Sequence, residues 1–149
     1  MYKHIMLPFD GSQPSVSAEK QCIAFAKSIG AKLTVIHVVS LFHLHAPAGL
    51  TPKTVVTTIE KEHKEEAEQM ARKMIAEVEK HAKAAGVRCD GVVVVGDNPH
   101  DEIIGNARKS GCDLIMMASH GRRGLDALLL GSETVKVLTH SKIPVLVVR

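Results

Sequence analysis

The chain has 149 residues and a formal net charge of +3, which suits one domain and gives too small a positive surplus for a nucleic-acid binder. Apolar residues make up 45% and charged residues 23% of the chain, a balance that is typical of a folded protein and excludes disorder. With no Trp, one Tyr and three Phe, an aromatic platform for stacking bases is not expected either.

Five short apolar runs alternate with four segments that carry helix signals. Most of the runs are rich in β-branched residues and nearly continuous in apolar character, as strands are when a parallel sheet is covered on both faces. They extend over His4–Pro8, Lys32–Val39, residues 88–95, Leu114–Ala118 and from Ile143 to Val148. Strands that alternate with helices in this way predict a doubly wound, three-layer α/β fold.

The helical segments are bounded by recognisable start and stop residues. The first is predicted from about Gln13 to Ile29, after the capping residue Ser12, and the third opens at Asn98-Pro99 and closes near Ser110. The fourth is predicted from about Ser132 to His140. The longest is predicted from about Val56 to Ala85, with an apolar stripe that includes Ile59, Met70 and Met74 and that we assign to the core.

The stretch from Leu41 to Val55 has no regular pattern, and a loop of that length is usually functional or mobile. Its His43 and His45 could bind a metal ion together with His37 or His100. Because no cysteine or carboxylate spacing supports such a site, we favour an exposed histidine pair and predict no metal centre built from side chains.

Several features indicate a cytoplasmic protein. No apolar run approaches the roughly 18 residues that would cross a membrane. The N-terminal sequence reaches the turn at Asp10-Gly11 too early to hold a secretory leader. Cys22, Cys89 and Cys112 are odd in number and widely separated, which favours a reducing compartment over a disulfide framework or a zinc site.

The segments that follow the first and fourth runs carry the chemical signal, because ligands of open parallel sheets bind beyond the carboxyl ends of strands. Asp10 follows the first run, and Ser119-His120-Gly121-Arg122-Arg123-Gly124 follows the fourth. Its two glycines permit close backbone approach, its two arginines add positive charge, and Gly131-Ser132 opens a helix with free N–H groups. This combination predicts a site for a phosphate chain, although it is neither a Walker A loop nor a dinucleotide-binding fingerprint.

Each of these residues also has an ordinary structural alternative. Asp10 could brace the turn before the first helix, as Asp often does. Gly121 and Gly124 could be loop glycines, the two arginines a solvated basic tip, and His120 a residue that braces its loop.

At these positions the sequence resembles the universal stress protein family, and the resemblance covers the whole chain. Nucleotide-binding members carry G-x2-G-x9-G-[S/T] after the fourth strand. Here Ala118-Ser119-His120-Gly121, nine residues and then Gly131-Ser132 keep that spacing, with Ala118 in place of the first glycine. The opening segment from Ile5 to Ser12, His37-Val38-Val39 and the closing segment from Ile143 to Val148 match the family as well.

The resemblance implies one universal stress protein domain over residues 1–149, with an open five-stranded parallel sheet in the order 3-2-1-4-5 and helices on both faces. It implies a site for ATP, or for ADP or AMP, accompanied by Mg²⁺. It also implies a homodimer in which the strand from Ile143 to Val148 pairs antiparallel with its two-fold mate, and neither nucleic acid nor membrane is expected as a partner. The unpaired edge of such an apolar strand favours this pairing.

By matching position, Asp10 would bind the ribose hydroxyls, Pro8 would border the sugar and base, and the Val38 backbone would contact adenine. Ala118 would lie against the ribose, where its methyl group would crowd the sugar if the site needed a positive φ or a very close approach. The phosphates would be surrounded by the backbone N–H groups of Gly121, Arg122, Gly131, Ser132 and Glu133, and Ser132 would add its hydroxyl. The full expected set is Pro8, Asp10, Val38, Ala118, Ser119, His120, Gly121, Arg122, Arg123, Gly124, Gly131, Ser132, Glu133 and Thr134.

Three functions follow as candidates. The first is a nucleotide-binding stress or signalling protein without strong catalytic machinery, in which slow ATP hydrolysis or autophosphorylation stays open because Ser132 would lie near a triphosphate. The second is an adenylyl transferase or ATP pyrophosphatase, disfavoured because Pro8-Phe9-Asp10-Gly11-Ser12 is neither a HIGH nor an SGGxDS loop. The third is an interaction module of the same family whose site binds no nucleotide.

Overall fold

The computed structural model describes residues 1–40, 53–121 and 130–149, and these contain five strands and four helices. In chain order they are β1 (His4–Pro8), α1 (Gln13–Ile29), β2 (Lys32–Val39), α2 (Lys53–Ala84), β3 (Cys89–Val95), α3 (Pro99–Lys109), β4 (Leu114–Ala118), α4 (Ser132–His140) and β5 (Val145–Val148). All strand pairs are parallel and the order is β3-β2-β1-β4-β5, which confirms the predicted fold.

Helices cover both faces of the sheet. Buried residues of α1 and α2 form one core cluster with the sheet, and buried residues of α3 and α4 form a second cluster on the other face. Successive side chains of a strand point to opposite faces, so Ile5 and Leu7 of β1 enter the first cluster and Met6 enters the second. All three side chains are fully buried, which is why the first run is apolar at consecutive positions.

The boundaries of β1, α1, β2, β4 and α4 are the predicted ones, and those of the other four elements differ by one to three residues. α2 begins at Lys53 where the pattern predicts Val56, so the end of the predicted irregular stretch is helical. His43 and His45 lie outside the described residues. β5 begins at Val145 and not at Ile143, because Pro144 has no N–H to donate and the N–H of Ile143 bonds to the Ser141 hydroxyl at 3.0 Å.

The assignment of the α2 stripe to the core is wrong at Met70 and correct at Met74. Met70 is 67% exposed and Ile59 is 38% exposed, whereas Met74 packs against the core and the first fully buried residue of α2 is Ala71. The cause is length: a helix of 32 residues spans about 48 Å, but the eight-residue β2 spans only about 26 Å. The first half of α2 therefore extends beyond the sheet. Among the helices described, none is long and apolar enough to cross a membrane.

Candidate functional site

The strand order of the sheet reverses at β1, because β2 lies on one side of it and β4 lies on the other. The chain beyond β1 carries Phe9 and Asp10, and the chain beyond β4 carries Ser119, His120 and Gly121. These two segments meet at the carboxyl edge of the sheet, which is the position where open α/β sheets bind their ligands.

Asp10 joins these two segments. Its Oδ1 accepts hydrogen bonds from the N–H of Ser12 at 3.0 Å and from the Ser12 hydroxyl, while that hydroxyl caps α1 by accepting from the N–H of Ser15 at 3.3 Å. On its other side, Oδ2 lies so close to Gly121 that a Cβ added there would stand 2.5 Å from it. Asp10 thus braces the turn before α1, as the structural alternative predicts, and at the same time contacts the segment that follows β4.

The N-terminus of α4 lies against the same segment. The N–H of Gly131, the N-cap residue, donates to the carbonyl of Ser119 at 2.8 Å. A Cβ on Gly131 would come within 3.1 Å of the Cα of His120, so glycine permits this close approach. An α-helix leaves its first N–H groups without intrahelical acceptors, and here those groups belong to Ser132, Glu133 and Thr134. The side chain of Ser132 is exposed beside them.

The side chain of Thr134 has a structural task. It is 2% exposed, and its hydroxyl donates to the carbonyl of Ala118 at 3.2 Å, which ties α4 to the end of β4. Only its backbone N–H is therefore placed for a ligand.

Glu133 points toward α3. Its Oε2 accepts from the backbone N–H of His100 and pairs with the ring Nδ1 of His100, both at 3.0 Å, and its Oε1 pairs with Lys136 at 2.8 Å. Burial raises the pKa of this carboxyl, but the hydrogen bonds from Lys136 and His100 hold it below its ordinary value. The Glu133 side chain thus caps α3, where Asn98 makes no side-chain cap. Residues 33 positions apart form this contact, so no local sequence signal marks it.

Ala118 belongs to β4 and is 7% exposed, with its methyl group in the core cluster on the α1 and α2 face. Among the described residues, only glycines have a positive φ, so the backbone at Ala118 is that of an ordinary strand. The positive φ, one of the two conditions under which its methyl group would crowd a ribose, is therefore not met.

The remaining predicted residues border this edge. Pro8 and Val38 are half-buried near the ends of β1 and β2, and the hydroxyl of Ser119 lies 3.0 Å from the Nδ1 of His120. His37, which the site prediction left out, donates from Nδ1 to the carbonyl of Phe9 at 2.7 Å and ties β2 to β1 here. Arg122, Arg123 and Gly124 lie outside the described residues.

The residues described by the structure offer no group of three or more His, Cys, Asp or Glu side chains that could hold a metal ion. Asp10 is the carboxylate that this edge places beside the segment after β4. The described part of the edge supplies backbone donors, a helix N-terminus and one carboxylate, which suit a ligand that has both phosphates and hydroxyls.

Comparison with known proteins gives the family. A family model described as the universal stress protein family matches residues 1–149. Universal stress protein MJ0577 of Methanocaldococcus jannaschii is 34% identical in an alignment that covers 100% of this chain and 96% of that protein. The chain therefore belongs to the universal stress protein family.

One further protein and two solved structures agree with this membership. Universal stress protein MJ0531 of the same organism is 35% identical, over 100% of this chain and 83% of that protein. The solved structure of MJ0577 superposes with a TM-score of 0.84 at 32% identity, covering 99% of this chain and 96% of that one. A universal stress protein solved in complex with cAMP superposes with a TM-score of 0.70 at 24% identity, covering 99% of this chain and 97% of that one.

Proposed function

We propose that this protein binds an adenine nucleotide, ATP in the first place and ADP or AMP as alternatives, at the carboxyl edge between β1 and β4. The observation that carries the proposal is the contact between Gly131 and Ser119, which holds the N-terminus of α4 beside Gly121 and Asp10. A helix N-terminus can bind the anionic phosphates of a nucleotide, and a carboxylate next to it can bind the neutral ribose.

The phosphates would lie at the N-terminus of α4. The N–H groups of Ser132, Glu133 and Thr134 point out of the first turn, and the exposed Ser132 hydroxyl adds a further donor. Because Gly121 and Gly131 have no Cβ, Asp10 and His120 can lie close to the start of α4. The sequence motif assigns Arg122, Arg123 and Gly124, which lie outside the described residues, to this end of the proposed site as well.

The ribose and adenine would lie over the ends of β1 and β2. The Asp10 carboxylate accepts hydrogen bonds, so it is suited to the ribose hydroxyls, and Pro8 and the Val38 backbone border the sugar and the base. Ala118, Ser119 and His120 form the floor beneath the ribose. One universal stress protein was solved in complex with cAMP, a ligand that contains the same ribose and adenine. That complex is consistent with an adenine nucleotide as the ligand class.

We further propose that Mg²⁺ enters with the nucleotide, held mainly by the phosphate oxygens. Mg²⁺ is commonly bound through substrate phosphates and one or two carboxylates, and it would partly neutralise the phosphate charge. Among this chain's own residues, Ser132 would hold the phosphates to which the ion is bound, through its hydroxyl at the start of α4.

A homodimer through β5 completes the proposal, with the protein acting as a single-domain stress-response or signalling module in the cytoplasm. β5 is an edge strand that pairs only with β4 in the described sheet. Its side chains are all apolar, and Leu146 is 39% exposed. An apolar edge with unpaired N–H and C=O groups is a template for another strand, and a second copy of β5 would satisfy it.

The variant Ser132→Asp tests the nucleotide site without disturbing the fold. A carboxylate at the first residue of α4 stabilises the helix through its dipole but repels phosphates that share the same N–H groups. Titration calorimetry with ATP and Mg²⁺ should show affinity weaker by at least about tenfold, or 1.4 kcal/mol, without a lower melting temperature.

The matched control is Gln69→Glu, which makes the same change in net charge at an exposed position of α2. It should bind ATP like the parent. If Ser132→Asp also binds ATP like the parent, the phosphates do not lie at α4 and the proposed site is wrong.

A further inference from the structure

A second cavity lies at the opposite, amino edge of the sheet. Its volume is about 450 Å³, and its walls include Lys3, Lys27, Lys32 and Arg88. The other lining residues are small or apolar, and none is acidic. Ligand pockets have volumes of roughly 300–1,000 Å³, so this cavity has the size of a small-molecule site with an unusually cationic wall.

The positive charges are adjacent because the strands begin side by side. The carbonyl of Lys3 accepts from the N–H of Lys32 at 3.0 Å, and the carbonyl of Arg88 accepts from the N–H of Leu33 at 2.8 Å. Lys3, Lys32 and Arg88 therefore occupy neighbouring strand starts. Like charges on neighbouring strands repel each other and destabilise the sheet unless an anion compensates them.

The carboxylates of Asp90 and Asp113 lie at this edge and act electrostatically on the neighbouring His4, but neither pairs directly with the four cations. None of the four cationic side chains forms a salt bridge within residues 1–40, 53–121 and 130–149. Asp113 lies close by, but its carboxylate accepts from the backbone N–H groups of Lys3 and His4 at 2.9–3.1 Å.

The backbone caps at the helix ends do not require these cations, although the helix dipole favours a cation such as Lys27 in the last turn of α1. α1, α2 and α3 end in the same way, with a left-handed glycine followed by an N–H that bonds to the carbonyl five residues earlier, at 2.8–2.9 Å. These backbone bonds form the cap without any cationic side chain. The residue that follows is Lys32 after α1 and Arg88 after α2, but Asp113 after α3. The fold accepts an acid at this position, so the cations beside the cavity are not a requirement of the cap.

We propose that this basic cavity binds a small polyanion, a molecule with two or more phosphate or carboxylate groups. Four cationic side chains surround the same space: two lysines at strand starts, an arginine and Lys27 from the last turn of α1. The guanidinium group of the arginine can donate two parallel hydrogen bonds to one anionic group. The site is separate from the proposed nucleotide site, because the two lie at opposite edges of one sheet. Binding here would link a second anionic metabolite to the same domain.

The test is nuclear magnetic resonance of the full, ¹⁵N-labelled chain titrated with two probes, inorganic triphosphate and citrate, at constant ionic strength. The proposal predicts shifts of the Gly30, Ala31 and Gly86 amides with at least one probe, and the response to each tells phosphate from carboxylate ligands. Because triphosphate can also reach the N-terminus of α4, shifts confined to Gly131 and Ser132 would overturn the proposal, as would no shifts at either edge.

Two charge-matched double variants decide whether binding is local. Lys32→Gln with Arg88→Gln should weaken binding at the amino edge by at least about tenfold. Lys20→Gln with Lys73→Gln removes the same charge from exposed helix positions outside the cavity and should leave the affinity unchanged. Equal weakening by both pairs would mean that only the net charge attracts the probes, and the proposal would be wrong. Thermal unfolding checks that both double variants are folded. The single variant Lys27→Gln, at an exposed helix position, repeats the binding test without a change in the sheet.

Discussion

Replacing Gly121 by alanine would place a methyl group against the carboxylate of Asp10. The added Cβ would stand 2.5 Å from Oδ2, whereas non-bonded heavy atoms settle at about 3.5 Å, so the carboxylate must retreat by about 1 Å. That movement strains or breaks the 3.0 Å hydrogen bond from the Ser12 N–H to Oδ1. A hydrogen bond to a charged group contributes about 1.5–3 kcal/mol, which bounds the expected loss of unfolding free energy.

The same movement should weaken nucleotide binding if Asp10 contacts the ribose. We expect the ATP affinity of Gly121→Ala to fall by at least about tenfold, equivalent to 1.4 kcal/mol, in titration calorimetry with Mg²⁺ present. Gly105→Ala is the matched control, because an added Cβ there meets no atom within 4 Å in the described structure. It lies inside α3, so it should raise the unfolding free energy by about 0.5–1 kcal/mol and leave the affinity unchanged. A folded Gly121→Ala protein that binds ATP like the parent would refute the assignment of Asp10 to the ribose.

Three other predictions concern the core, the pH dependence and the assembly. Ala118→Gly removes a buried methyl group from β4 and should lower the unfolding free energy by about 1–2 kcal/mol, while the ATP-induced shift in melting temperature stays equal to that of the parent; a larger shift would mean that the methyl group does crowd the ligand. Burial and the charge of Lys32 lower the pKa of His4 from 6.5, so the unfolded chain binds its proton more tightly and the unfolding free energy should fall as the pH drops below about 6.5. In urea unfolding of His4→Gln, this fall in the unfolding free energy below about pH 6.5 should be lost. The variant His63→Gln, at an exposed position, should keep it. Identical pH profiles for His4→Gln and the parent would show that His4 does not cause the fall. Val147→Lys should weaken the β5 dimer in sedimentation, whereas Val55→Lys on α2 should not, and a parent protein that sediments as a monomer at micromolar concentration would refute the dimer.

The sequence predicts the fold well because the three central strands β1, β2 and β4 are buried on both faces. Each strand then carries consecutive apolar residues, and Gly30 and Gly86 mark where the preceding helices end, so local patterns suffice. The core assignment fails at Met70 because periodicity gives the apolar face of a helix but not the length of the sheet beneath it. The extension of α2 beyond β2 becomes visible only when the two lengths are compared in space.

The candidate site is predictable only in part. The spacing from Ala118 to Ser132 indicates which backbone segments meet, and the structure brings Asp10, Gly121 and Gly131 to the same edge. The spacing does not reveal side chains that bond to distant residues. The family resemblance assigns only the backbone N–H of Glu133 to the phosphates, and it does not reveal that the carboxylate caps α3, because the partner His100 comes from a different helix. Such long-range pairs leave no periodic signal in a single sequence.

The most direct test of nucleotide binding is chromatography of the small molecules that the freshly purified protein releases on denaturation, followed by titration of the stripped protein with ATP, ADP and AMP in the presence of Mg²⁺. The account predicts an adenine nucleotide in the released fraction, or binding of one on titration, at one molecule per chain. A protein that releases no nucleotide and shows no binding of any of the three would contradict the proposed function and would place this chain among the members of its family that act without a nucleotide.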